Sequence, residues 1–261
     1  MAAANTAQQI TMNNLDVPNK QLIKSENINC DGANYIYNTY RVKNYGEIEC
    51  VKPSGRTDGD FRKARALIPF EFIGKKAKDF NWNEYGCEIE TQKKIVNAFI
   101  LNFDKFVNEG KGLYIYSQKK GSGKTFLSCC LLQELIDTRP INAKFITVLD
   151  FIELTKKGFK NDGSNDEIDG IFQTQLLVLD DLGVQMNKEW TETVLYRLIN
   201  YRMTQKLVTI FTSNVPVDKL KMDERISERI FSMVIPLILP EVSIRNRKAQ
   251  EKNSEFIKGL I

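Results

Sequence analysis

The chain has 261 residues, 42% of them hydrophobic and 27% charged, with 37 basic and 33 acidic side chains and a net charge of +4. These proportions exclude a disordered or fibrous chain and put no field of one sign over the whole molecule, so any nucleic-acid contact must come from a local patch. The absence of histidine excludes a Ser-His-Asp triad, a Cys-His pair, an HExxH zinc site and a histidine general base within this chain.

In chain order, the first fourteen residues, MAAANTAQQITMNN, lack the basic and apolar regions of a signal peptide. No apolar run approaches the roughly 18 residues of a membrane span, so a soluble, cytoplasmic protein with no membrane partner is expected. The cysteines are Cys30, Cys50, Cys87, Cys129 and Cys130, an odd number without CxxC spacing. They read as reduced thiols, not as a disulfide framework or zinc site. Residues 1–75 are rich in Asn, Lys and Tyr and punctuated by turns such as Asp31-Gly32 and Asp58-Gly59. They are expected to form a small N-terminal domain, with short strands around 34–42 and 46–51, ahead of a main domain over 76–261.

The spacing of Ile95, Val96, Phe99, Ile100, Phe103 and Phe106 predicts one amphipathic helix over 88–109, stopped by Gly110. Short apolar strands are then predicted at 113–116, 144–149, 175–179, 207–212 and 233–239. Between them lie helices over 124–136, one capped by Asp150, one over 188–204 that buries Trp190, Val194, Leu195, Leu198 and Ile199, and one including 219–230. The polar stretch 156–169 reads as a mobile loop. Strand and helix in alternation, with near-continuous apolar strands, predict an α/β fold: a parallel five-stranded sheet with helices on both faces.

Between the first of those strands and its helix stands Ser117-Gln-Lys-Lys-Gly-Ser-Gly-Lys-Thr125. Gly121 and Gly123 let the backbone N–H groups of the Gly121, Ser122, Gly123, Lys124, Thr125 and Phe126 stretch wrap a phosphate, and the helix start adds its positive dipole end. Lys124 suits the β and γ phosphates of ATP and Thr125 suits Mg²⁺. Gln118 occupies the first-glycine position of the Gly-x₄-Gly-Lys-Ser/Thr pattern. The run Leu176-Leu-Val-Leu-Asp180-Asp181-Leu-Gly183 then puts two carboxylates at the C-terminal edge of a buried strand, where open α/β sheets bind ligands. Asp180 would hold Mg²⁺ and Asp181 would orient the attacking water.

Three later features admit two readings each. Asn214, closing Thr209-Ile-Phe-Thr-Ser-Asn214, either reaches the γ-phosphate or its water, or satisfies a turn before Pro216. Arg225 and Arg229, at i and i+4, either stabilise phosphoryl charge or pair with Glu224 and Glu228 on a surface helix. Arg245, Arg247 and Lys248 either reach the phosphates or lie in a solvated tail. Lys156, Lys157 and Lys160, with Phe159, are the candidates for single-stranded DNA; the alternative is a solvated lysine-rich loop.

The segment ALIPFEFIGKKAKDFNW, the GSGKTFL turn, LLVLDDLG, LINYR, TIFTSN, RISERI and SIRNR together resemble the AAA+ ATPases of the DnaC/DnaI helicase-loader and IstB family, from Ala66 to Lys248. The resemblance implies a P-loop AAA+ core in which Lys124 and Thr125 are Walker A residues, Asp180 and Asp181 Walker B and Asn214 sensor 1. It makes Arg229, with Arg225 as second choice, an arginine finger acting between subunits of a homo-oligomer, and Arg245 a sensor 2 arginine. It also implies a loader of a replicative helicase that binds ATP, Mg²⁺ and single-stranded DNA, with residues 1–75 gripping the helicase. An IstB-type transposase helper and a nucleotide-gated adaptor with little turnover are the alternatives.

Overall fold

Apolar strand segments followed by amphipathic helices can bury both faces of a sheet only if the helices divide between them. The computed structural model describes residues 20–30, 33–43, 46–53, 58–160, 166–183 and 189–258. It divides into two units, Met1–Asp58 and Gly59–Ile261. That division falls earlier than the boundary expected near 75: Ala66 is buried in the core of the second unit, and its carbonyl accepts from the Phe145 N–H at 2.7 Å.

In the first unit β1 (Lys20–Cys30), β2 (Ala33–Val42) and β3 (Gly46–Pro53) form an antiparallel sheet with β2 in the middle. Two strands were expected there; β1 adds a third, paired from Lys20 opposite Val42 to Cys30 opposite Ala33 with a bulge between Leu22 and Lys24. Its residues 21–27 are all exposed. A strand held by its ladder at a sheet edge shows no hydrophobic alternation, and that is why the sequence does not announce it.

The second unit opens with α1 (Asp58–Ala64), α2 (Glu90–Leu101) and α3 (Phe103–Glu109). The single helix expected over 88–109 is therefore two. At the break the Asn102 side chain donates to the Ala98 carbonyl at 3.2 Å, beside the backbone bond to the same oxygen. The unit continues as β4 (Gly112–Tyr116), α4 (Lys124–Thr138), β5 (Ala143–Thr147), α5 (Val148–Lys160), α6 (Asp166–Gln173), β6 (Leu176–Leu182), α7 (Glu189–Thr204), β7 (Val208–Ser213), α8 (Glu224–Met233), β8 (Val234–Ile238) and α9 (Ile244–Lys258).

The strands lie in the order β5-β6-β7-β4-β8, every described pair parallel, as the α/β reading requires. Alternate side chains sort to opposite faces. Leu113, Ile115, Leu176, Val178, Val208 and Ile210 pack with α4 and with Val96, Phe99 and Phe103. Tyr114, Leu177, Leu179 and Phe211 pack with α5, α6, α7 and α8. Cys129 and Cys130 are buried on α4, and burial pushes the Cys130 thiol up to about 12, far from a reactive thiolate.

Four local expectations differ from the structure. Asp150 does not cap α5: the Thr147 hydroxyl accepts the Asp150 N–H at 3.0 Å and donates to the Asp150 carboxylate at 2.6 Å, so Asp150 sits inside the first turn. The polar stretch 156–169 is not one loop, since α5 runs to Lys160 and α6 begins at Asp166. Trp190 is 36% exposed, while Val194, Leu195, Leu198 and Ile199 are buried as expected. The helix expected from 219 begins at Glu224, after a short 3₁₀ turn at Val217–Lys219. Among the described residues no helix is long and apolar enough to cross a membrane.

Candidate nucleotide site

Because β4 ends at Tyr116 and α4 starts at Lys124, residues 117–123 form the turn between them. Gly121 and Gly123 have φ of +75° and +95°, where a side chain is strained. Space is also short: a Cβ on Gly121 would lie 3.0 Å from Ser243 Oγ and Arg245 Cβ, and one on Gly123 3.2 Å from the Phe80 ring. Helix α4 has no side-chain cap and no acidic residue in its first turn. Its leading N–H groups and positive dipole end are therefore free of any local carboxylate, which is what a phosphate chain requires.

Lys124 is buried, and its ammonium donates to the Ser117 and Lys119 carbonyls at 3.1 Å each and to Ser122 Oγ at 3.2 Å. Burial pulls its pKa below the usual lysine value, while Asp181, Glu241 and Asp180 act in the other direction. The Ser122 carbonyl accepts the Tyr85 hydroxyl at 2.6 Å, which ties the turn to the segment preceding α2. Phe126 packs its ring 5.4 Å from Phe72 and 5.7 Å from Phe80.

The acids arrive from β6. Buried Asp180 accepts the Thr212 hydroxyl at 2.5 Å on Oδ1 and the Thr125 hydroxyl at 3.2 Å on Oδ2. Burial raises its pKa above the usual carboxylate value, and the two hydroxyls lower it in part. Pairing between β6 and β7 slips between Leu179 and Leu182, inserting one extra residue, and Asp181 takes φ +61° there. The bulge turns Asp181 out to solvent. Its N–H donates to Thr212 Oγ1 at 2.9 Å, and its carboxylate accepts Asn214 Nδ2 at 3.1 Å. Thr125, Asp180, Thr212, Asp181 and Asn214 thus form one connected group at the C-terminal edge of the sheet. Thr125 and Asp180 offer hard oxygen atoms to Mg²⁺, and Lys124 with the helix start offers donors to phosphate, so both groups fit the residues present.

Arg245 also comes to the turn: its N–H donates to the Gly121 carbonyl at 3.1 Å and its side chain lies against Gly121. The basic cluster is the start of α9 and not a loose tail. Arg247 and Lys248 instead pair with Glu84, Lys248 at 3.3 Å. Arg225 and Arg229 have their partners on α7, on α8 and at the residue that precedes α8. Arg225 pairs with Asp223 at 2.6 Å, and Arg229 donates to Asn200 Oδ1 at 2.9 Å. Both guanidiniums lie over the Tyr196 ring, at 5.5 and 4.7 Å. Neither pairing expected with Glu224 or Glu228 is among the described ion pairs. Lys156 and Lys157 are exposed on α5, with the Lys156 ammonium 5.4 Å from the Trp190 ring; the side chains of Phe159 and Lys160 lie outside the described residues. Tyr85 and Glu241 were not anticipated from the sequence. Neither belongs to a short motif, and only the fold brings them to the turn.

Residues 51–230 match the family described as IstB-like ATP binding protein. The replicative helicase loader DnaI of Bacillus subtilis is 31% identical over 214 residues, which cover 78% of this chain and 67% of that protein. The replicative helicase loader DnaC of Escherichia coli (strain K12) is 27% identical over 157 residues, 58% of this chain and 62% of that protein. Among solved structures, the crystal structure of DnaI superposes with a TM-score of 0.57 at 25% identity, over 66% of this chain and 94% of that one.

Proposed function

The chain belongs to the IstB-like ATP-binding family with an AAA+ core, and from that premise we propose that it is an ATPase that helps load a replicative helicase onto DNA. The observation that carries the reading is the bonded group at the sheet edge, in which Thr125 of the phosphate turn shares the Asp180 carboxylate with Thr212 of β7. Two residues 55 positions apart, each suited to one half of a nucleotide site, meet at 3.2 Å.

In this mechanism Lys124 leaves its carbonyl and hydroxyl partners for the β and γ phosphates of ATP, and the N–H groups at the start of α4 take the remaining phosphate oxygens. Thr125 and Asp180 would hold Mg²⁺, which would neutralise phosphate charge. Asp181, aimed outward by the bulge and steadied by Asn214, aligns the attacking water. Arg245 meets the phosphates from the C-terminal side. Arg229, or Arg225, completes the pocket of a neighbouring copy. The N-terminal unit grips the helicase, and the nucleotide state sets when the helicase is released. Lys156, Lys157 and Lys160 with Phe159 track single-stranded DNA. The similarity to two proteins named helicase loaders supports this reading over a transposase helper.

ATP turnover of the wild type against Lys124→Ala and Asp181→Asn, with a replicative helicase and single-stranded DNA present, tests the proposal. A fall of about 100-fold or more in both variants is expected. If Lys124→Ala abolishes nucleotide binding while the wild type turns over no faster than Asp181→Asn, the chain is a nucleotide-gated adaptor.

A further inference from the structure

The phosphate turn departs from its pattern at one position, Gln118, which stands where the first glycine belongs. Gln118 is not among the residues with positive φ, so the conformation there makes no demand for glycine. The backbone is held from outside. The N–H groups of Gln118 and Lys119 both donate to the carboxylate of Glu241, at 2.9 Å to Oε1 and 2.7 Å to Oε2. Glu241 lies in the short link between β8 and α9. That link and the first turn of α9 make two further bonds to the same turn, Ser117 Oγ to the Pro240 carbonyl at 3.4 Å and the Arg245 N–H to the Gly121 carbonyl at 3.1 Å.

The other side of the same backbone faces Lys124, whose ammonium is received by the Ser117 and Lys119 carbonyls. Lys119 is therefore gripped twice: its N–H by Glu241 and its carbonyl by Lys124. Two consecutive N–H groups directed at one carboxylate form the same concavity that elsewhere receives an anion. Here a side chain of this chain fills it.

We propose that Glu241 is a positioning residue for nucleotide binding: its carboxylate fixes residues 117–119 so that their carbonyls hold the Lys124 ammonium in the turn, the task that the first glycine's tight packing otherwise serves. This rests on the reading of the turn as a phosphate site. The charge of Glu241 by itself acts against a phosphate, and its hydrogen bonds act in favour, so substitution decides between them.

Glu241→Gln keeps one acceptor and replaces the other with a donor that opposes the second N–H. Glu241→Asp keeps the charge but is one methylene too short to bridge both groups. Binding of a fluorescent ATP analogue to the full chain, with Glu255→Gln on α9 as a control of equal charge change, is the measurement. Both Glu241 variants are expected to bind about tenfold more weakly, the loss of one charge-assisted hydrogen bond. KM for ATP should rise with little change in kcat, and Glu255→Gln should match the wild type. Affinity in Glu241→Gln equal to or tighter than wild type overturns the role, because the carboxylate is then only a repelling charge. Equal binding by wild type and Lys124→Ala overturns the phosphate site itself, and this inference with it.

Discussion

Asp180 is a carboxylate that folding has buried without a cationic partner in bonding contact, held by two threonine hydroxyls. Desolvation raises its pKa, so the charged form is destabilised in the folded state relative to the unfolded chain. A raised folded value means that this residue's share of stability is intact below the unfolded pKa, near ~4, and is lost as pH rises through the folded value. Asp180→Asn should therefore melt higher than wild type at pH 7.5, with the gap closing as pH falls to about 4. Thermal unfolding of the nucleotide-free protein across that range checks it, and a gap independent of pH would assign the effect to packing. The same variant should lose ATP turnover by about 100-fold, the usual exchange of stability for function at such sites. The residues proposed for the site, Lys124, Thr125 and both aspartates, could be picked out from the sequence because each sits in a short motif. The protonation preference of Asp180 could not, since it depends on burial and on Thr212, 32 positions away.

At the scale of elements, Thr147 and Arg202 do work that the local sequence does not reveal. Thr147 caps α5, so Thr147→Val should cost about 1 kcal/mol in urea unfolding, while Asp150→Asn costs less. Arg202, at the end of α7, is 1% exposed. It donates to the Ile171, Phe172 and Thr174 carbonyls at the end of α6, to the Val208 carbonyl, and to Thr209 Oγ1 on β7. Burial draws its pKa down to about 9, and the oxygen cage holds the charge in place. Arg202→Leu leaves those carbonyls unpaired and should destabilise by at least about 3 kcal/mol; Thr209→Val should cost about 1 kcal/mol. From β4 to β8 the helix and strand types were legible where their apolar periods differ, but α6 and the end of α5 were read as a loop because their sequence is polar. The break at Asn102 and the partial exposure of Trp190 were not, because a period shows which face is apolar and not what covers it.

The whole molecule raises the question of whether one copy suffices. Arg225 and Arg229 are stacked on Tyr196 and bonded within α7 and α8, an arrangement that presents two guanidiniums on one rigid platform. If Arg229 serves a neighbour, Arg229→Ala should bind ATP as wild type does and turn over about 100-fold more slowly. Mixed with Lys124→Ala, it should recover about a quarter of wild-type turnover, because random mixing places that fraction of intact lysines beside intact arginines. No recovery in the mixture would mean that the arginine acts within its own subunit. If the lysines of α5 track single-stranded DNA, affinity should fall steeply as salt rises from 50 to 200 mM, because each phosphate contact displaces a counterion; a flat response would remove that role.

By itself the sequence determined most of the alternation of strands and helices, the glycine turn between β4 and α4 and the acid pair on β6, because each is a local pattern with its own physical cause. It could not determine the strand order β5-β6-β7-β4-β8, which puts β7 between the turn and the acids and so brings Thr212 and Asn214 into the site. Nor could it place Tyr85 and Glu241 against the turn. Contacts between residues far apart in the chain follow from how helices divide over two faces of a sheet, and that division is settled by packing and not by any segment alone.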